Sequence, residues 1–118
     1  MSQHIKECVL NIVDTLENPP QLDEMEMYDL GYDVGYGTED AYLSAWDYLS
    51  DALDIEFITD CNGNYLGARV LVTFGGPTIW VNTRTYQVEG GWWGDNCVRE
   101  FTDTIGLDDA CEQQWLCI

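Results

Sequence analysis

Side chains that commonly perform catalysis or bind metals are scarce in this chain, apart from carboxylates. It has one histidine, His4, and five widely spaced cysteines without a CxxC pair. Catalytic triads need a histidine beside a nucleophile, and zinc sites usually show paired Cys and His residues. We therefore expect reduced, mostly buried thiols, no metal, no cofactor and no enzymatic activity. The sequence leaves open whether Cys111 and Cys117 pair, and an acid-catalysed reaction is the remaining enzymatic alternative.

One segment resembles the start of a calcium-binding loop. Residues 60–64 (DCNGN) place possible oxygen ligands at alternate positions. The sixth and twelfth positions are Tyr65 and Leu71, where an EF-hand loop requires Gly and Glu. Asn62-Gly63 is instead a strong signal for a two-stranded hairpin. We therefore predict a turn and no calcium site here.

The charge balance is the outstanding feature of the composition. Twenty-two Asp and Glu residues face four Lys and Arg residues, which gives a net charge of −18. Fifteen of the acids and a single lysine lie in residues 1–60, whereas residues 61–118 contain seven acids and three arginines. A small domain needs a net charge of only ~2–8 for solubility. The excess predicts a positively charged partner, and it argues against direct binding to nucleic acid. The sequence has no run of 18 apolar residues, so no membrane span is expected.

The acidic residues suggest a ridge on a helix. A helix from Thr38 to about Leu53 would bury Tyr42, Trp46 and Leu49 and place Asp40, Asp47, Asp51 and Asp54 on the opposite face. Such carboxylates, together with acids from the preceding segment, could contact Lys and Arg side chains that otherwise bind phosphates. The predicted partner-binding residues are Asp23, Glu24, Glu26, Asp29, Asp33, Glu39, Asp40, Asp47, Asp51 and Asp54, with Tyr28 and Tyr32.

Aromatic residues accompany the acids. Tyr28, Tyr32 and Tyr36 recur every four residues in the acidic segment, where they suit an interface with arginine. Trp92 and Trp93 would point to opposite faces of a strand, so one is expected in the core and the other at the surface. An exposed tryptophan is a candidate binding residue.

The elements that must position these residues follow from periodicity. Residues 3–17 predict an amphipathic helix that Asn18-Pro19-Pro20 ends, and residues 21–37 predict one or two helical turns and a loop. Alternating patterns predict strands at 55–59, 64–74, 78–83 and 85–92. A further helix is predicted at 107–117.

These elements predict an α+β fold in one domain. An antiparallel β-meander of three to four strands, within residues 55–96, would pack on one face against amphipathic helices. The acidic helical half would occupy residues 1–54. The sheet is nearly neutral by comparison, so any homodimer would form through it.

Residues 71–95 (LVTFGGPTIWVNTRTYQVEGGWWGD) resemble a motif of small proteins from phages and other mobile elements. The Gly75-Gly76-Pro77 turn and the Trp92–Asp95 corner carry this likeness. The short acidic chain also looks like the anti-CRISPR and antirestriction proteins that mimic nucleic acid. The resemblance implies an inhibitor that occupies the nucleic-acid-binding cleft of a host defence complex.

We therefore expect an inhibitor of a basic, nucleic-acid-binding protein, most readily a CRISPR effector. The alternatives are an antirestriction protein, an acidic immunity protein or antitoxin for a basic nuclease or toxin, and a carbohydrate- or cation-binding module that uses Trp80, Trp92 or Trp93. The first residues lack a basic segment followed by an apolar one, so no secretory signal is expected. We expect the protein to act in the cytoplasm of a bacterial host cell.

Overall fold

The computed structural model describes residues 3–20 and 43–117. Within this part, helices and strands follow one another along the chain in a simple order. The elements are α1 (Gln3–Glu17), α2 (Ala45–Ser50), β1 (Asp54–Thr59), β2 (Tyr65–Thr73), β3 (Thr78–Asn82), β4 (Gln87–Trp92), β5 (Asp95–Glu100) and α3 (Leu107–Leu116). No helix among these residues is long and apolar enough to cross a membrane.

The strands form an open antiparallel sheet in the order β1-β2-β3-β4-β5, so each strand pairs with its neighbours in sequence. The α+β prediction is confirmed. The strand count is five rather than three to four, because β5 follows β4 after the two-residue turn Trp93-Gly94. The Gly76-Pro77 peptide bond between β2 and β3 is cis.

Helix α1 covers the β4–β5 side of one sheet face. Ile5, Val9 and Leu16 from its predicted apolar stripe are fully buried. The approach is close: a Cβ added at Gly90 of β4 would lie 2.7 Å from the Val9 side chain. Only a glycine at this strand position lets the helix come so near.

Helix α3 packs on β2 of the same sheet face and also contacts α2. Its Leu107, Ala110 and Cys111 are buried, as are Ala45 and Leu49 of α2. The sheet face beneath the helices and the residue that follows β5 contribute the rest of the buried core. These residues are Ala68, Val70, Ile79, Val81, Val88, Cys97 and Phe101. The opposite face of the sheet has no helix from the described residues against it.

The predicted helix from Thr38 to Leu53 is wrong in its described portion. Between residues 43 and 53, only Ala45–Ser50 is helical, and Ser44 rather than Thr38 occupies the N-cap. The helix ends early because the chain joins the sheet: the Leu53 N–H donates to the Leu71 carbonyl of β2 at 2.9 Å. Thr38 and the predicted turns at 21–37 lie outside the described residues.

Candidate functional surface

Three of the twelve predicted partner-binding residues fall in the described part of the chain. They are Asp47, Asp51 and Asp54, and the structure does not place them on one helical ridge. The other nine lie outside the described residues. These are Asp23, Glu24, Glu26, Tyr28, Asp29, Tyr32, Asp33, Glu39 and Asp40.

Asp47 has a structural position that the sequence prediction missed. Its carboxylate accepts hydrogen bonds from the Ser44 N–H at 3.1 Å and the Ser44 hydroxyl at 2.8 Å. In return, the Asp47 N–H donates to the Ser44 hydroxyl oxygen at 3.2 Å. This reciprocal pair is a capping box at the start of α2. Asp47 is only 9% exposed, so the prediction that it lies on an outward face is wrong.

Asp51 and Asp54 are exposed, although they belong to different elements. Asp51 is the C-cap of α2, and Asp54 is the first residue of β1. Asp54 pairs in register with Leu71, so it continues a row across the sheet rather than a row along a helix. Their role in partner binding stays a prediction, with a different geometry from the one expected.

The open face of the sheet carries an acidic surface of its own. Residues that pair directly across antiparallel strands share a face, so the register identifies its members. The open face includes four carboxylates, those of Asp54, Glu56, Glu89 and Glu100. We call this group the open-face carboxylates. Sequence reasoning divided acids between two halves of the chain and could not see that β1, β4 and β5 bring these four to one surface.

Arg69 is the cation on this face, and it is well satisfied. Its Nη1 atom lies 3.0 Å from Glu56 Oε1, and its Nε atom lies 4.0 Å from Glu89 Oε1. The guanidinium carbon also stands 4.2 Å from the centroid of the Trp80 ring. The arrangement combines a cation–π contact with two carboxylate partners. Arg69 is thus bound by an aromatic ring and by carboxylates of the same sheet face.

One end of the sheet exposes aromatic side chains. The β2–β3 and β4–β5 turns lie side by side there, because Thr78 pairs with Gly91 near both turns. Phe74 in the first turn is 75% exposed, and Trp93 in the second is 87% exposed. Trp92 lies just below, partly buried, with its ring 4.9 Å from that of His4. We call Phe74 and Trp93 the aromatic tip.

The opposite end is held by a polar network around Asp108. Its Oδ1 atom accepts hydrogen bonds from the Tyr65 hydroxyl at 2.8 Å and the Thr83 hydroxyl at 2.7 Å. Burial is the main cause that raises the pKa of Tyr65, and the Asp108 carboxylate adds to it. The network ties α3 to β2 and to the end of β3, which is a structural task.

The thiols offer little chemistry. Cys97 and Cys111 are buried, and burial raises the pKa of the Cys111 thiol to about 12, so it stays protonated at neutral pH. Cys61 and Cys117 are exposed, which corrects the prediction of mostly buried thiols. None of the five is in a disulfide, and Cys111 and Cys117 do not pair. Cys8 Sγ is 3.8 Å from His4 Nε2, a weak contact along α1.

The remaining sites of interest are small clefts and turns. A cleft of about 330 Å³ is lined mainly by apolar groups, including Leu43, Ala52 and Val72. Within the described ranges, no group of three His, Cys, Asp or Glu side chains could hold a metal ion. Residues 60–64 form the predicted turn, where Asp60 Oδ1 accepts from the N–H groups of Asn62 and Asn64.

No protein-family model, curated protein or solved structure matches this chain. The likeness to anti-CRISPR and antirestriction proteins therefore stays a prediction. Function has to be argued from charge and from the surfaces described above.

Proposed function

We propose that this protein is an inhibitor that binds a basic, nucleic-acid-binding protein through an acidic, nucleic-acid-mimicking surface. A CRISPR effector in the cytoplasm of a bacterial cell is the leading target, ahead of a restriction enzyme or a basic nuclease or toxin. The observation that carries the proposal is the imbalance between 22 acidic residues and four Lys and Arg residues, which gives a net charge of −18. Arg69 already pairs with Glu56 and Glu89 of the same sheet face.

The open-face carboxylates support this proposal by their position. Residues two apart along a strand are about 7 Å apart, and adjacent strands are about 4.8 Å apart. Asp54 on the β1 edge and Asp51 just before it therefore offer separate anchoring points for cations of a partner, and Glu56 adds a third charge, although its Oε1 already contacts Arg69. Residues 21–42 add seven acids and no lysine or arginine to the chain. A field of this sign steers association with a basic cleft and repels nucleic acid itself.

Inhibition of this kind needs no catalytic group. Occupation of a basic cleft excludes the nucleic acid that the cleft would otherwise bind. Because the attraction is electrostatic, added salt should weaken it. Affinity should also fall when carboxylates on the binding surface are neutralised, whereas the loss of distant acids should have a smaller effect.

The test is an interference assay in bacteria that carry a CRISPR system or a restriction system. We expect the protein to protect a targeted plasmid against at least one of them. The variant Asp51→Asn/Asp54→Asn/Glu56→Gln should then weaken binding to the purified target roughly tenfold at about 0.1 M salt, since exposed charge pairs contribute up to ~1 kcal/mol each. Asp47 is left unchanged because its loss would damage α2.

The matched control is Asp14→Asn/Asp109→Asn/Glu112→Gln, which removes the same number of charges from the helices. It should bind within about twofold of the unaltered protein, because distant exposed charges are screened beyond about 10 Å at 0.1 M salt. Binding that does not change with salt, or equal losses in both triple variants, would reject an acidic mimic surface. Protection against none of the systems would reject CRISPR effectors and restriction enzymes as targets.

A further inference from the structure

We propose that the aromatic tip is a docking site for arginine side chains of the positively charged partner. The inference rests on the proposed function, because it assumes that a basic protein is bound. It adds the chemistry of the contact: guanidinium groups stacked on the rings of Phe74 and Trp93. Lysine-rich surfaces of equal charge would bind this tip less well.

The backbone at Trp93 lies in the left-handed region. The β4–β5 turn has two central residues, and both have positive φ, 53° at Trp93 and 82° at Gly94. Such turns favour Asn-Gly or Gly-Gly, and a bulky residue in this region is a strained outlier. Strain of this kind persists where a function requires the side chain at that place.

The Trp93 side chain is exposed to solvent in the folded chain. It is 87% exposed, and no ring contact joins it to another described residue. The indole therefore gives the fold little packing energy in return for the strain.

A second exposed ring lies at the same end of the sheet as Trp93. Phe74 is in the neighbouring turn and is 75% exposed. The β2–β3 turn also lies close to the end of β4, since a Cβ at Gly76 would lie 3.9 Å from Trp92 Nε1. The rings of Phe74 and Trp93 therefore give this end of the sheet two exposed apolar surfaces.

Charge complementarity selects the occupant of this surface. A chain of net charge −18 attracts cationic partners and repels a second copy of itself and anionic membranes. Guanidinium groups combine positive charge with a flat, weakly hydrated face that stacks on aromatic rings, which an ammonium group does less well. Within the molecule, Arg69 stacks on Trp80 with Glu56 beside it.

The experiment uses fluorescein-labelled hexa-arginine and hexalysine as probes, with anisotropy at low salt. We expect hexa-arginine to bind roughly threefold to tenfold more tightly than hexalysine, the range that one or two exposed cation–π contacts provide. Arginine also pairs better with carboxylates, so the unaltered protein alone does not identify the tip. Trp93→Asn and Phe74→Ser should each reduce the preference for arginine and leave hexalysine binding unchanged.

Trp46→Ala is the matched control, because Trp46 is 55% exposed on α2 and belongs to neither turn. It should keep the full preference for arginine. Equal affinities for the two peptides, or a preference that Trp93→Asn retains, would overturn the proposal. The triple variant Asp51→Asn/Asp54→Asn/Glu56→Gln separates the two ideas: it should weaken binding of both peptides, and the part of the arginine preference that Trp93→Asn removes should remain.

Discussion

Two turns at opposite ends of the sheet hold an aromatic residue in the left-handed backbone region. Trp93 has φ 53° between β4 and β5, and Tyr86 has φ 55° between β3 and β4. The Tyr86 ring meets the Phe101 ring with centroids 5.9 Å apart, and its carbonyl accepts the Phe101 N–H at 3.0 Å. The Trp93 ring has no such contact in the described structure. Equal backbone strain is therefore offset by packing at one end and left uncompensated at the other.

The two residues differ in their roles: the Tyr86 ring has a structural contact with Phe101, whereas the Trp93 ring is proposed to bind a partner. At the Tyr86 end, Asp108 and its partners join the helix layer to the sheet, and the exposed ring is part of that construction. At the aromatic tip, the rings extend beyond the sheet and support nothing beneath them. Mutations should therefore affect stability at the first end and binding at the second.

The largest effect is expected when the packing behind Tyr86 is removed. Phe101 is 5% exposed, and Phe101→Ala should destabilise the fold by about 3–4 kcal/mol, since a core phenylalanine leaves a cavity. Val98→Ala, at a 43% exposed position of β5, should cost less than about 1 kcal/mol. Urea unfolding measures both. Similar losses for the two variants would mean that Phe101 does not anchor this end.

A smaller loss is expected when the network beside Tyr86 is broken. Asp108→Ala removes the acceptor for Tyr65 and Thr83 and should cost about 2 kcal/mol, because hydrogen bonds to a charged group are the stronger ones. Asp109→Ala removes an exposed carboxylate from the same first turn of α3 and serves as the control for the helix dipole. If Asp109→Ala is equally damaging, the dipole rather than the network holds α3.

A gain in stability is expected at the aromatic tip. Asn tolerates the left-handed region better than Trp, so Trp93→Asn should stabilise the fold by about 0.5–1 kcal/mol. Tyr86→Asn makes the same backbone gain and loses the ring contact with Phe101, so its net effect should be near zero or destabilising. Thermal unfolding of the two variants side by side gives the result. A loss of stability in Trp93→Asn would show that the indole packs after all.

The smallest effect concerns the third turn, between β1 and β2, which uses no aromatic residue. Hydrogen bonds from Asn64, foremost its backbone N–H, lower the pKa of Asp60 below the ordinary 3.8. A lowered pKa means that this group stabilises the fold above its ordinary pKa and loses that contribution as the pH falls through the folded value. An NMR titration of Asp60 should show the shift, and Asn64→Ala, which removes the side-chain donor and keeps the backbone N–H, should move the pKa only part of the way back toward the ordinary value. An unshifted Asp60 would contradict the hydrogen bonds seen in the turn.

Strong periodicity made most of the fold predictable. The apolar stripe Ile5–Val9–Leu16 identifies α1, and alternation with turn signals identifies β1 to β4. Strand β5 was missed because the hairpin turn before it, Trp93-Gly94, has a tryptophan at a position where such turns favour Asn, Asp or Gly. Its own pattern is also mixed, with buried Cys97 beside the half-exposed Arg99 on one face and exposed Val98 on the other.

The surfaces were less predictable than the elements. Asp47 fits the helical spacing of a ridge, but Ser44 recruits it into a cap, and spacing alone does not distinguish the two roles. The open-face carboxylates come from strands far apart in sequence, so only the pairing register brings them together. One of Trp92 and Trp93 was expected at the surface; it is Trp93, which reaches the surface through a turn rather than through strand alternation.

The order of elements has a consequence for synthesis on the ribosome. Helix α1 emerges before the sheet, and the strands that bury Val9, β4 and β5, are made about eighty residues later, as the contact of Val9 with Gly90 implies. The hairpins in between pair only with their sequence neighbours and can form as they appear. The apolar side of α1 must therefore wait for several seconds at ordinary elongation rates of ~5–20 residues per second. During that time the nascent chain has an uncovered helix, and its abundant negative charge helps to keep neighbouring chains apart.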